Sequence, residues 1–184
     1  MVRLETPVCD FGQSAIDFSL PDVDGKIWSL EKCRGKKGLL VMFICNHCPY
    51  VKAIQQRLVN DTAELRELGI NSVAIMSNDT TQYAEDSPEN MKKIAAEFNF
   101  PFPYLLDATQ AVAKKYGAVC TPDFFGYNAD LELQYRGRLD ASRKELISGD
   151  MKRDLFAAMK QVSQTGHGPK EQIPSMGCSI KWID

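Results

Sequence analysis

The chain has 184 residues, 44% hydrophobic and 25% charged, which suits one soluble domain able to bury a core without disulfide staples. Its formal charge is −2 and its lysines and arginines are scattered, so it carries no basic footprint for nucleic acid or an anionic membrane. No run approaches the ~20 apolar residues of a membrane span, and the N-terminus is polar, so a cytoplasmic location is expected.

In chain order, Phe18, Leu20 and Val23, the turn Asp24-Gly25, then Ile27, Trp28 and Leu30 predict an N-terminal β-hairpin. The run Leu39–Ile44 is apolar at every position, as a central strand covered on both faces would be, and Cys45 is the first residue past it. Val51, Ile54, Leu58, Ala63 and Leu65 follow helical spacing from Cys48 to Leu68, and Gly69 ends the pattern. Ile70–Met76 reads as a second buried strand, and Ser87-Pro88-Glu89 as a capped helix start running to about Phe98. Next come a strand at Tyr104–Leu106, a helix from Asp107 to Tyr116 closed by Gly117, and a hairpin of Phe124–Tyr127 with Leu131–Tyr135. A last helix is expected from Asp150 to Val162. Residues rich in Gly, Pro, Gln and Ser follow it, so 165–184 is expected to be a C-terminal tail packing on or near a domain of residues 1–164. The whole predicts an α/β domain with a central mixed sheet flanked by helices.

Six cysteines stand at 9, 33, 45, 48, 120 and 178, and only Cys45-Asn46-His47-Cys48 has a spacing that carries chemistry by itself. A helix N-terminus offers the positive end of the macrodipole and unpaired N–H groups, which favour thiolate, the reactive species. Two thiols three residues apart on the first turn can attack a disulfide and then close on each other. Half a zinc site has the same spacing, but no second C-x-x-C or histidine pair accompanies it, so no metal is expected. Pro49 suits the first helical position, which would make Cys48 the cap; with Cys45 as cap it would break the first helical bond. The order of attack stays open on this ground. His47 can place an imidazolium beside either thiolate or point to solvent.

The segment Asp17–Lys26, then Arg34-Gly35-Lys36-Lys37 and the strand into Cys45, resembles the redoxin branch of the thioredoxin superfamily over about residues 11 to 140. Phe43–Val51, with Val119-Cys120-Thr121-Pro122 and Gly177–Trp182, is similar to its peroxiredoxin-like (AhpC/TSA-type) subgroup. That resemblance implies a thioredoxin-like fold and makes Thr121-Pro122 the cis-proline loop that lies against the dithiol and offers backbone to a partner. It puts Cys48 at the position of the peroxide-reactive cysteine. Val41 and Cys45, however, replace the proline and threonine of the peroxiredoxin pattern, and no arginine falls near Thr121-Pro122. Leu39 stands where thioredoxins bury an acidic proton acceptor.

The expected function is dithiol–disulfide exchange with a protein or low-molecular-weight disulfide through Cys45 and Cys48, served by an unidentified thiol electron donor and no cofactor. Asn46, His47, Pro49, Thr121 and Pro122 would tune the site or bind substrate, and Cys120 and Cys178 are candidates for extra redox thiols. The alternatives are a thiol peroxidase with Cys48 as nucleophile and, from another class, a metal- or partner-binding module using Cys45, His47 and Cys48. Cys9, Cys33, His167, Trp28 and Trp182 are expected to be ordinary packing or surface residues.

Overall fold

The computed structural model describes residues 2–142 and 151–183. The chain opens with β1 (Arg3–Glu5), the hairpin β2 (Ser19–Pro21) and β3 (Ile27–Ser29), and the single turn α1 (Leu30–Cys33), which is capped by the Ser29 hydroxyl. The apolar run forms β4 (Gly38–Phe43), buried at every residue. Then follow α2 (Pro49–Glu67), β5 (Ile70–Met76), a 3-10 turn (Ala84–Asp86), α3 (Pro88–Glu97) and β6 (Tyr104–Leu106). After α4 (Ala111–Tyr116) come β7 (Cys120–Thr121), β8 (Asp123–Asn128), β9 (Leu133–Tyr135), α5 (Asp154–Thr165) and β10 (Met176–Ser179).

The main sheet runs β6-β5-β4-β8-β9, with β4 parallel to β5 and antiparallel to β8. Alternation along β4 divides the core. Leu40 and Met42 pack on α2 and α5 through Ile54, Leu58, Leu155 and Met159, whereas Leu39, Val41 and Phe43 face α4 and the N-terminal hairpin through Val112, Tyr116 and Leu20. Burying one such side chain contributes about 1.5–3 kcal/mol, so the six-residue strand anchors both layers. α2 ends where expected, with Gly69 beyond it at a φ of 84° that only glycine adopts cheaply.

Some expectations change. The helix predicted from Asp107 begins at Ala111, because Gln110 turns left-handed at φ 61° and the Asp107 carboxylate accepts from the Ala113 N–H at 2.9 Å instead of joining the helix. The last helix is observed as Asp154–Thr165, while Asp150 lies outside the described residues. A second sheet, β1-β10-β7, was not foreseen; in it β10 lies antiparallel between the N-terminal strand and β7. No helix among the described residues is long and apolar enough to cross a membrane.

Candidate active site

β4 delivers the chain to the site. Ile44 still donates to the Ile75 carbonyl at 3.1 Å, after which the backbone leaves the sheet and enters α2. Pro49 is the first helical residue, where its missing N–H costs nothing, and Cys48 is the N-cap with extended φ and ψ of −68° and 122°. Cys48, rather than Cys45, therefore stands at the helix start. Both residues are buried, at 0% and 1% exposure.

The loop between the cysteines is held by Asp86, a fully buried residue for which the sequence offered no motif. Its Oδ1 accepts from the backbone N–H of Asn46 at 2.7 Å and of His47 at 3.2 Å. Its Oδ2 accepts from His47 Nδ1 at 2.7 Å and Asn78 Nδ2 at 2.8 Å. Burial alone would disfavour the carboxylate, yet these donors outweigh it and hold Asp86 below the usual carboxylate range. In return the Asp86 hydrogen bond, opposed by burial, raises His47 above its ordinary value. The imidazole is buried and stacks on Tyr83, with centroids 5.2 Å apart, while its Nε2 has no hydrogen-bond partner among the described residues. Asn46 is fixed as well: its amide donates to the Glu85 carbonyl at 3.0 Å and its Oδ1 accepts from the Tyr104 hydroxyl at 3.0 Å.

The two thiols are electrostatically unequal. The Cys45 thiol, acting as a donor, draws Cys48 down to about 5; burial opposes this, and Cys178 adds a second thiol donor. The Val51 N–H points toward the Cys48 sulfur without closing a cap hydrogen bond. Cys45 is pushed well above the ordinary thiol range by the same shared hydrogen bond, by burial and by the Asp86 charge. One thiolate beside one thiol is the arrangement a stepwise exchange needs.

Across from the dithiol the Thr121-Pro122 peptide bond is cis. The Thr121 hydroxyl lies 3.3 Å from Cys45 Sγ, and its carbonyl lies 3.1 Å from Cys48 Sγ. Cys178 and Thr121 are register partners in the β10-β7 pairing, which brings Cys178 Sγ to 3.1 Å from Cys48 Sγ. Gly177 permits this closeness, since a Cβ there would collide with the Thr121 carbonyl. Cys120 is buried nearby, but its thiol donates to the Pro122 carbonyl at 3.6 Å, and burial raises its pKa. Cys9 and Cys33 lie elsewhere, pushed up by burial to about 11 and about 12.

Cys45, His47 and Asp86 each offer a ligand atom within 4.8 Å of the others, so among the described residues they are the set that could hold a metal ion. This set replaces Cys48 of the sequence expectation with Asp86. The Asp86 oxygens already accept four hydrogen bonds, two from backbone, which an ion would have to displace.

A model of the AhpC/TSA family matches residues 11–141. The chloroplastic peroxiredoxin Q of Populus jackii is 26% identical over 115 residues, which are 62% of this chain and 49% of that protein, so the chain spans about half the length of that curated relative. An uncharacterised conserved protein from Geobacillus kaustophilus superposes with a TM-score of 0.93 at 45% identity, covering 100% of this chain and 97% of its own. A secreted disulfide oxidoreductase of Mycobacterium tuberculosis shares the fold alone: TM-score 0.59, 17% identity, 78% of this chain and 94% of its own. The fold is thioredoxin-like.

Proposed function

The chain belongs to the AhpC/TSA family, and from that premise we propose that it is a thiol–disulfide oxidoreductase in which Cys48 attacks and Cys45 resolves. The observation that carries this is the Cys48 sulfur at the N-cap of α2, three residues from Cys45 and across from the cis Thr121-Pro122 bond, a setting that draws its thiol down to about 5. Cys48 thiolate attacks one sulfur of a substrate disulfide, forming a mixed disulfide and releasing the other half as a thiolate that takes a proton. Cys45 then loses its proton, attacks Cys48 Sγ and expels the second half, leaving Cys45–Cys48 oxidised and the substrate reduced. A thiol donor, in a reducing and therefore cytoplasmic setting, returns the dithiol.

His47, held toward its cationic form by Asp86, adds positive charge beside the sulfurs. The Thr121 hydroxyl lies within hydrogen-bond reach of Cys45 Sγ, and its carbonyl accepts from Cys48 while that thiol is still protonated, releasing it once Cys48 ionises. A cleft of about 140 Å³, lined by Tyr50, Pro122, Arg138, Asp140 and Ser175 but by neither sulfur, adjoins the cis-proline loop and supports approach of a small disulfide or a protein loop to that side of the dithiol.

A second reading, thiol peroxidase, is favoured by the family and by the acidity of Cys48. Against it, Val41 and Cys45 replace the peroxiredoxin residues, and among the described residues no arginine hydrogen-bonds Cys48. Rates of insulin reduction and hydrogen peroxide consumption, measured on one preparation, separate the two. Faster insulin reduction supports exchange, and peroxide turnover that exceeds it overturns this assignment.

A further inference from the structure

The Cys48 sulfur has two thiol neighbours, and the exchange scheme uses only one. Cys178 Sγ lies 3.1 Å from it, about 1 Å beyond an S–S bond of ~2.05 Å. The approach is built into the fold. β10 is clamped between β1 and β7, with Leu4 opposite Gly177 and Cys178 opposite Thr121, the residue whose carbonyl also contacts Cys48. Beyond β10, Lys181 N donates to Asn78 Oδ1 at 2.8 Å, and the amide of the same Asn78 donates to Asp86. The C-terminal strand and the dithiol loop therefore share one hydrogen-bonded frame.

We propose that Cys178 is a second resolving thiol, forming a Cys48–Cys178 disulfide in competition with Cys45–Cys48. The proposal rests on the exchange reading, because it needs a mixed disulfide on Cys48. In that intermediate Cys178 gives up its proton and its sulfur attacks Cys48 Sγ. The bond from Cys48 to the partner sulfur breaks, and the partner leaves as a thiolate that takes up the proton. One disulfide is consumed, one is made, and no further oxidant is required. Cys45 can afterwards attack Cys48 Sγ, regenerating the Cys178 thiol and passing the bond to Cys45–Cys48.

Two features fit a resolving rather than an attacking role. Cys178 lies in β10 rather than at a helix start, with its sulfur against that of Cys48. Its thiol is pushed up to about 12, by burial first and then by Cys48, so it is a poor nucleophile toward a free partner and acts on a sulfur already held against it. The product would also tie β10 to the start of α2. That bond would keep the strand over Cys48 until it is reduced, whereas in the dithiol state backbone pairing, packing and hydrogen bonds such as the one between Cys48 and Cys178 hold β10 there.

The test treats full-length wild type, Cys45→Ser, Cys178→Ser and the Cys45→Ser/Cys178→Ser double variant with glutathione disulfide, followed by intact mass and peptide mapping. The expected result is a glutathione adduct on Cys48 that accumulates at least tenfold more in the double variant than in Cys45→Ser, which instead yields a dithiothreitol-reversible Cys48–Cys178 link. Equal adduct in those two, with Cys178 free in both, overturns the proposal and leaves exchange by Cys48 intact. No adduct in the double variant overturns the exchange reading, and this proposal with it. Gly177→Ala, which pushes β10 away from Thr121, is the independent check. In the Cys45→Ser background it should abolish the Cys48–Cys178 link; an undiminished link would contradict the role assigned to β10.

Discussion

Asp86 and His47, 39 residues apart, meet through a 2.7 Å hydrogen bond at His47 Nδ1, with the carboxylate fully buried and the imidazole side chain 5% exposed. The same carboxylate accepts the backbone N–H groups of Asn46 and His47, so one residue sets both the loop shape and the ionisation of its histidine.

Replacing Asp86 by Ala strands two backbone donors and a buried imidazole, and should destabilise the protein by about 3–5 kcal/mol, as breaking a buried pair does. Asp86→Asn, which keeps the volume, isolates the charge. Asp86 is held below its ordinary 3.8, so its share of stability is present above 3.8 and lost as pH falls through the lowered value. His47 is held above its ordinary 6.5, so its share is complete below 6.5 and lost as pH rises through the raised value. Urea unfolding should therefore show the largest wild-type advantage over Asp86→Asn between those two ordinary values. A difference independent of pH would show that the pair is not ionised.

Cys48 should be the reactive thiol in weakly acidic solution. Alkylation by iodoacetamide, mapped by peptide, should titrate at Cys48 with a midpoint near 5, while Cys178 titrates near 12 and Cys45 stays protonated in neutral solution. In guanidinium chloride all six cysteines should react alike, with a midpoint near the ordinary ~8.5. A Cys48 midpoint at that ordinary value in the folded protein would remove the electrostatic basis of the mechanism.

The main sheet was legible because its central strands are uninterrupted apolar runs that the periodicity of α2 separates: β4, α2, β5 and β6 fall within a residue or two of expectation. β1 and β10 escaped notice because neither Arg3-Leu4-Glu5 nor Met176-Gly177-Cys178-Ser179 contains a β-branched or aromatic residue. The dithiol was readable from spacing, and Pro49 limited the cap to two choices. The placement of Thr121 came from family resemblance, since a contact across 73 residues leaves no local trace. Asp86 was hidden for the same reason; its only local sign, an acid just before the Ser87-Pro88 helix start, reads as helix capping.

His47→Ala should raise the Cys48 pKa and so destabilise the reduced, ionised form and lower the reduction potential, each tenfold change in the exchange equilibrium being about 30 mV. Titration of wild type and variant against glutathione buffers checks this. Coincident midpoints would leave the helix terminus and the neighbouring thiols as the sources of activation.

The central claim is that Cys48 attacks disulfides, and it is tested most directly by stopping the reaction at its first bond. Wild type, the Cys45→Ser/Cys178→Ser double variant and Cys48→Ser are assayed for reduction of insulin and for covalent capture of an insulin chain under non-reducing conditions. The account predicts multiple turnovers by wild type with dithiothreitol as donor, a stable one-to-one adduct mapped to Cys48 in the double variant, and neither turnover nor adduct in Cys48→Ser. Capture by Cys48→Ser through Cys45, or insulin reduction at the wild-type rate without Cys48, would contradict it.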